Sequence, residues 1–147
     1  MTITWYGHSC FRIETKEGSI LTDPFSKSIG LRPPKIKDNL ILVSHDHDDH
    51  AGGLEDPNPE AFIIAGPGEY EKQGIAVRGI SSFHDKSQGA ERGLNTICIV
   101  RTEDVTLCHL GDLGQAELTD HQVEEIGDVD VLFIPVGGTY TLDGKEA

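Results

Sequence analysis

The six-residue string His45-Asp-His-Asp-Asp-His50 sets three imidazoles beside three carboxylates, and no fold needs that density of polar groups for its own stability. It follows Asn39-Leu-Ile-Leu-Val43, a short and nearly all-apolar run suited to a buried strand. Residues two apart in an extended segment point the same way, so His45 and His47 can converge on one cation. Asp49 and His50, entering a turn, reach a second position. Nitrogen and oxygen donors without thiolate suit zinc, iron or manganese, and an imidazole-rich mixture favours zinc. The competing reading is a solvated polar loop; a lone histidine would leave that open, whereas a dense string at a strand terminus argues for a metal.

The rest of the chain supplies short strands. Thr2 to Tyr6, Cys10 to Glu14 and Ser19 to Thr22, with a turn signal at Glu17-Gly18, read as an opening antiparallel meander. Residues 26–39 hold Gly30, Pro33 and Pro34 and read as a loop. Further strands are expected at Ala61 to Ala65, Ile75 to Ile80, Thr96 to Arg101, Val105 to Leu110 and Val129 to Pro135, most of them hairpin-linked. Ala65-Gly-Pro-Gly-Glu-Tyr-Glu71 lacks the spacing of a phosphate-cradling loop and reads as a turn. One helix is expected, from a capping box at Thr119-Asp-His-Gln122 to Ile126, with Gly127 as its stop and Leu118, Val123 and Ile126 on its apolar face. Many short strands with few helices outside them indicate an α+β fold or a layered β-sandwich with flanking helices.

At 147 residues the chain suits a single domain. Its formal charge of −13 opposes the counterion release that drives most nucleic-acid binding and the attraction to anionic lipid, so no nucleic-acid partner is expected. No membrane partner is expected either, since no segment approaches the roughly 20 apolar residues of a membrane span. An anionic or phosphorylated small substrate stays open, because a bound divalent cation can dominate the local field. Cys10, Cys98 and Cys108 are an odd number without CxxC spacing, which reads as buried free thiols in a reducing cytoplasm.

Ser44-His-Asp-His-Asp-Asp-His50 resembles the metal-binding string of the metallo-β-lactamase-fold hydrolases. Trp5-Tyr-Gly-His-Ser9, Leu21-Thr-Asp-Pro24, Phe83-His-Asp85, Glu91-Arg-Gly93 and His109-Leu-Gly-Asp-Leu113 follow the order of the branch that looks like ascorbate-6-phosphate lactonase. The resemblance spans essentially the whole chain and implies an α+β fold, the αβ/βα four-layer sandwich. It implies His45, His47 and His84 as ligands of one metal, Asp49 and His50 as ligands of another, and Asp112 as the bridging carboxylate. Two ions, zinc first with Mn2+ or Fe2+ as alternatives, would then hold a hydroxide nucleophile between them. Asp49 would orient that hydroxide or take its proton.

Asp23 resembles the family's early aspartate, which supports ligand histidines rather than binding metal; an ordinary strand-end turn residue is the equal alternative. His8 and His109 each either face the pocket or are satisfied structural histidines, the commoner case. Arg92 either contacts an anionic group of the substrate or pairs with surface carboxylates, again the commoner case. His121, near the start of the expected helix, is assigned no role.

The departure from the family lies at the C-terminal end. The superfamily supplies a last histidine from beyond a segment matching Pro135-Val-Gly-Gly138, and this chain reaches Ala147 without one. The expectation is a single domain, residues 1–147, truncated at its C-terminal end, or else a second metal position completed by a partner chain in a homo-oligomer. The expected function is a cytoplasmic, zinc-type hydrolase opening an ester, lactone or phosphoester bond in a small molecule. The alternative is a non-catalytic metal-binding or interaction domain left by loss of the C-terminal half.

Overall fold

Short apolar runs draw the chain into two mixed five-stranded sheets packed face to face. The computed structural model describes all 147 residues. The first sheet contains β1 (Thr2–Gly7), β2 (Cys10–Glu14), β3 (Ser19–Thr22), β4 (Leu40–Leu42) and β5 (Phe62–Ile64), in that spatial order. The second contains β6 (Gly68–Lys72), β7 (Ile75–Phe83), β8 (Leu94–Thr102), β9 (Val105–His109) and β10 (Val131–Phe133), ordered β10-β9-β8-β7-β6. The opening meander is antiparallel as expected. Hairpins do not link all the others, however, because β3–β4, β4–β5 and β9–β10 pair in parallel. Parallel neighbours need crossovers, and these are the loop after β3, the segment holding a one-turn helix α1 (Asp48–Ala51), and the segment holding α2 (Asp120–Ile126).

Period-two alternation divides the side chains between layers. Ile13, Ile20, Leu40, Leu42 and Ile64 meet Ile75, Val77, Cys98, Val100 and Leu107 between the sheets. On the outer face of the second sheet Ile97, Ile99 and Cys108 pack with Leu113 and Leu142. Cys10, Leu21 and Phe25 form a smaller cluster under the loop that follows β3. All three cysteines are buried and free. That loop is tied down by Arg12, whose guanidinium donates to Asp38 at 2.8 Å through both Nε and Nη2 and to the Lys35 carbonyl at 2.7 Å.

The segment expected to be a turn at residues 65–71 is partly strand. β6 pairs with β7 through a hairpin whose Gln73 and Gly74 both have positive φ, 57° and 83°, the backbone that a two-residue hairpin turn requires. Its glycine richness suits an edge strand in close approach, since a Cβ on facing Gly79 would lie 2.4 Å from the Gly66 carbonyl oxygen. The α2 capping box forms as read, with Thr119 Oγ1 accepting from the Gln122 backbone and Gln122 Oε1 accepting from that of Thr119. Its expected apolar face is corrected: Val123 is 55% exposed, and the inward row is Leu118, Gln122 and Ile126, spaced by four. Gln122 is tolerated inside because its amide donates to the Ser81 carbonyl at 2.8 Å and accepts from Gln115 at 2.7 Å. No helix is long and apolar enough to cross a membrane.

Candidate metal centre

β1, β3 and β4 share one direction in the first sheet and β7 and β9 share one in the second, and the donors beyond their ends converge at one rim of the sandwich. Just past those ends stand His8, Asp23, His45, His84 and Asp112. His47 caps α1, and α1 itself carries Asp49 and His50. A four-residue helix, stopped at Gly52-Gly53, is too short to be read from periodicity, and it turns Asp49 and His50 back toward the strand ends.

Three groups of donors converge there, each with its ligand atoms within 4.8 Å of one another: His45, His47 and His84; His45, His50 and Asp112; and His8, Asp49 and His50. Asp112 lies between the first and last, with its Oδ2 at 3.4 Å from His84 Nε2 and 3.3 Å from His50 Nε2. His8 Nε2 lies 3.3 Å and His50 Nε2 4.0 Å from Asp49 Oδ2.

These residues fit a metal on two grounds. Charge-assisted N–H···O bonds run at about 2.7–2.9 Å, and the separations above are longer. Ligands about 2.0–2.2 Å from a tetrahedral zinc lie about 3.3–3.6 Å apart, which most of them match. The second ground is a pair of buried nitrogens on the facing side of the centre without a hydrogen-bond partner, His45 Nε2 and His50 Nε2. Buried polar atoms are rarely left unpaired.

Hydrogen bonding also decides which nitrogens are bare. Ser44 Oγ donates to Asp23 Oδ2 at 2.8 Å and so accepts, at 3.0 Å, from His45 Nδ1. His50 Nδ1 donates to the same carboxylate oxygen at 2.9 Å. Both Nε2 atoms therefore face the centre, and once His50 gives up its Nε2 proton both offer a lone pair there, the arrangement that supporting carboxylates give to metal-bound histidines. Asp23 itself is wholly buried, with φ +38°, a strained conformation of the sort that persists at sites which over-determine it.

The electrostatics follow from this packing. Burial and the neighbouring His50 push the pKa of His45 from 6.5 down to about 3. Burial also works against charge on His50, yet contact with Asp112 and Asp23 raises it to about 10. Burial likewise opposes ionisation of Asp112, but His50, His45 and His84 bring it down to about 2.

His109 stays out of the centre. Its Nδ1 accepts from the Gly111 backbone and its Nε2 lies 3.2 Å from the Ser9 carbonyl, so both nitrogens are partnered, and burial lowers its pKa. His121 is exposed on α2, near Glu125. Arg92 makes no ion pair with an acidic surface, contrary to the commoner expectation: its guanidinium stacks on the Tyr140 ring at 3.9 Å. Asp85 fixes the loop that carries it by accepting backbone N–H bonds from Ser87, Gly89, Glu91 and Arg92. A cavity of about 610 Å³ opens between Arg92, Leu94 and Thr96 on one side and His45 and His47 on the other. A second, of about 570 Å³, opens onto His8, Asp49, Asp112 and Tyr140.

Sequence reasoning missed the residues that aim the ligands. Asn95, on β8, donates to the Leu110 carbonyl and accepts from the Asp112 N–H at 3.0 Å, holding the turn that presents Asp112. Gln115 accepts from the Phe83 N–H next to His84. An isolated Asn or Gln has no local signature, although Ser44 beside the first histidine could have been suspected from adjacency alone.

Comparison with known proteins agrees with this geometry. A family model described as the β-lactamase superfamily domain matches residues 2–147. A protein of Thermoplasma acidophilum named a metal-dependent hydrolase is 28% identical over 97% of this chain and 74% of its own length. One of Carboxydothermus hydrogenoformans, also named a metal-dependent hydrolase, is 30% identical over 100% of this chain and 77% of its own. A crystal structure from Thermotoga maritima, described as a zinc-dependent hydrolase of the metallo-β-lactamase superfamily, superposes with a TM-score of 0.80 at 39% identity, over 99% of this chain and 66% of that one. This chain thus spans about two thirds to three quarters of the length of these relatives. With a two-sheet sandwich, a rim of histidines and aspartates and a family match over nearly every residue, the chain belongs to the metallo-β-lactamase superfamily, among relatives named metal-dependent hydrolases.

Proposed function

We propose that this protein is a metal-dependent hydrolase that opens an ester, lactone or phosphoester bond in a small substrate, in the manner of the ascorbate-6-phosphate lactonase-like branch. The observation that carries this reading is the pair of buried nitrogens, His45 Nε2 and His50 Nε2, left without hydrogen-bond partners where the donor groups converge. His45, His47 and His84 would hold one ion, Asp49 and His50 another, and Asp112 would face both. Imidazole and carboxylate donors favour Zn2+, with Mn2+ or Fe2+ as alternatives. Bound there, such ions lower the pKa of water toward neutrality and polarise the bond to be cleaved.

The chain's own residues do the rest. Asp49 is half-buried at the mouth of the centre, where it can orient the attacking water and take its proton. Arg92 is the only cationic side chain lining the cavity beside His45 and His47, and it would anchor an anionic group of the substrate. Action on small molecules rather than nucleic acid agrees with the net charge of −13, and three free, buried cysteines agree with a cytoplasmic enzyme. The open cavities favour a reaction centre over a purely structural metal site, which would be closed.

Turnover of aryl ester, lactone and phosphodiester substrates by zinc-loaded protein, lost on His47→Ala and on Asp112→Ala, is the expected result. Activity retained after either substitution would sink the mechanism.

A further inference from the structure

Of the seven histidines in the chain, His109 is satisfied on both nitrogens and His121 lies on α2 away from the rim. The other five converge. Four of them belong to the histidine string and the end of β7. The fifth, His8, follows the edge strand of the first sheet, where β1 ends in a bulge at Gly7.

Its placement is unusual for a surface histidine. The backbone at His8 has φ +51°, a left-handed conformation that costs a side chain with a Cβ and is worth attention wherever it occurs. That conformation brings the ring edge-on to His50, with centroids 4.8 Å apart, and Nε2 to 3.3 Å from Asp49 Oδ2. The Trp5 indole N–H donates to the His8 carbonyl at 2.9 Å and holds the bulge in this shape. Across from it lies His50 Nε2, a wholly buried atom with no hydrogen-bond partner.

We infer that His8 is a metal ligand, and that with Asp49 and His50 it forms the second metal position of the centre, Asp112 closing it from β9. This rests on the metal-dependent reading above and adds to it a nitrogen donor that the histidine string does not contain. With His8 the second position has three donors of its own from this chain, two imidazoles and the Asp49 carboxylate, beside the Asp112 carboxylate that also faces the first ion. Without it the position has one imidazole, and Asp49 has no partner on its outer side.

The test is metal binding by the 147-residue chain, first stripped with a chelator and then titrated with Co2+ and with Zn2+. Stoichiometry is read by elemental analysis, and the site by the visible absorption of bound Co2+. His8→Asn is the informative variant, because asparagine tolerates a left-handed backbone while removing the imidazole. His8→Ala serves as a second variant, and the unfolding midpoint of each metal-free form shows whether it folds.

The expected result is two ions for the unsubstituted chain. In His8→Asn the tighter ion is kept, the second binds roughly 10- to 100-fold more weakly or not at all, in line with what even supporting partners of ligands contribute, and the part of the cobalt spectrum belonging to the second ion changes. Two ions bound with unchanged affinities and spectrum in a folded His8→Asn would overturn the assignment. A drop in metal-free stability with both affinities intact would also overturn it, leaving His8 as an ion-pair partner of Asp49 alone. An unsubstituted chain that binds no metal would overturn the hydrolase reading itself.

Discussion

Asp23 Oδ2 accepts a hydrogen bond from His50 Nδ1 at 2.9 Å, and both side chains are wholly buried. The same carboxylate accepts from the Ser44 backbone and hydroxyl at 2.7 and 2.8 Å, so one residue at the end of β3 orients both His45 and His50. Asp23→Asn keeps the shape but can no longer accept from all three donors. We expect it to weaken metal binding roughly 10- to 100-fold, measured by competition with a chromogenic chelator. Affinity equal to that of the unsubstituted chain would show that the rings are held by something else.

His50 gives the metal-free protein a pH signature. Its folded pKa of about 10 lies above its ordinary value of 6.5. The stability it contributes is therefore fully present below the unfolded pKa and is lost as pH rises through about 10. Urea unfolding of chelated protein from pH 6 to 10.5 should show that decline. Metal loading at pH 8 should in turn release about one proton per chain from His50, because the ligand must be neutral. His45, with its pKa already near 3, releases none. Titration calorimetry in buffers of differing ionisation enthalpy counts the protons.

Gly111 has φ +57°, and a Cβ there would lie 2.4 Å from Asn95 Oδ1 and 2.5 Å from Ser44 Cβ. Gly111→Ala should destabilise the fold by about 1–3 kcal/mol through crowding and backbone strain. It should also weaken metal binding, since Asn95 is what holds Asp112. Thermal unfolding and metal titration of the same variant check both.

Far from the metal centre, Arg12 and Asp38 form a buried two-pronged pair. Arg12→Ala would leave the Asp38 carboxylate uncompensated, and breaking such a pair costs about 3–5 kcal/mol. Denaturant unfolding measures the loss. An effect below about 1 kcal/mol, the range of exposed pairs, would mean that water reaches the pair.

Arg92→Gln should raise KM for an anionic ester by about tenfold or more, as a charge-assisted hydrogen bond of about 1.5–3 kcal/mol implies. KM for a neutral ester of similar size should stay unchanged. Equal effects on both would remove Arg92 from substrate recognition.

The metal-seeking residues were legible because their chemistry is dense: six residues after an apolar run announce a site whatever surrounds them. The strands were legible to within a few residues for the same reason that they form, alternation and turn chemistry. Residues 68–72 were not, because an edge strand rich in glycine carries the composition of a turn and is made a strand only by its pairing with β7. Val123 was misplaced because leucine, valine and isoleucine look interchangeable on a helix, while the inward position belongs to a glutamine satisfied by Ser81 and Gln115. Arg92 looked like a surface cation, and only the folding of its loop around Asp85 brings it to the cavity. Asn95 and Gln115 act through contacts distant in the sequence, which no local pattern records.

The donors at the rim are drawn from His8 through Asp112 and from both sheets. No short segment of the chain contains the centre, so its assembly depends on contacts of high sequence separation, the kind that slow folding. Once assembled, an ion shared between His45 and Asp112 would act as a rivet across the seam of the sandwich, closing long loops as a disulfide does in an oxidising compartment. In a protein whose three cysteines are buried and free, mechanical cohesion between the halves and chemical competence would then rise and fall together with metal supply.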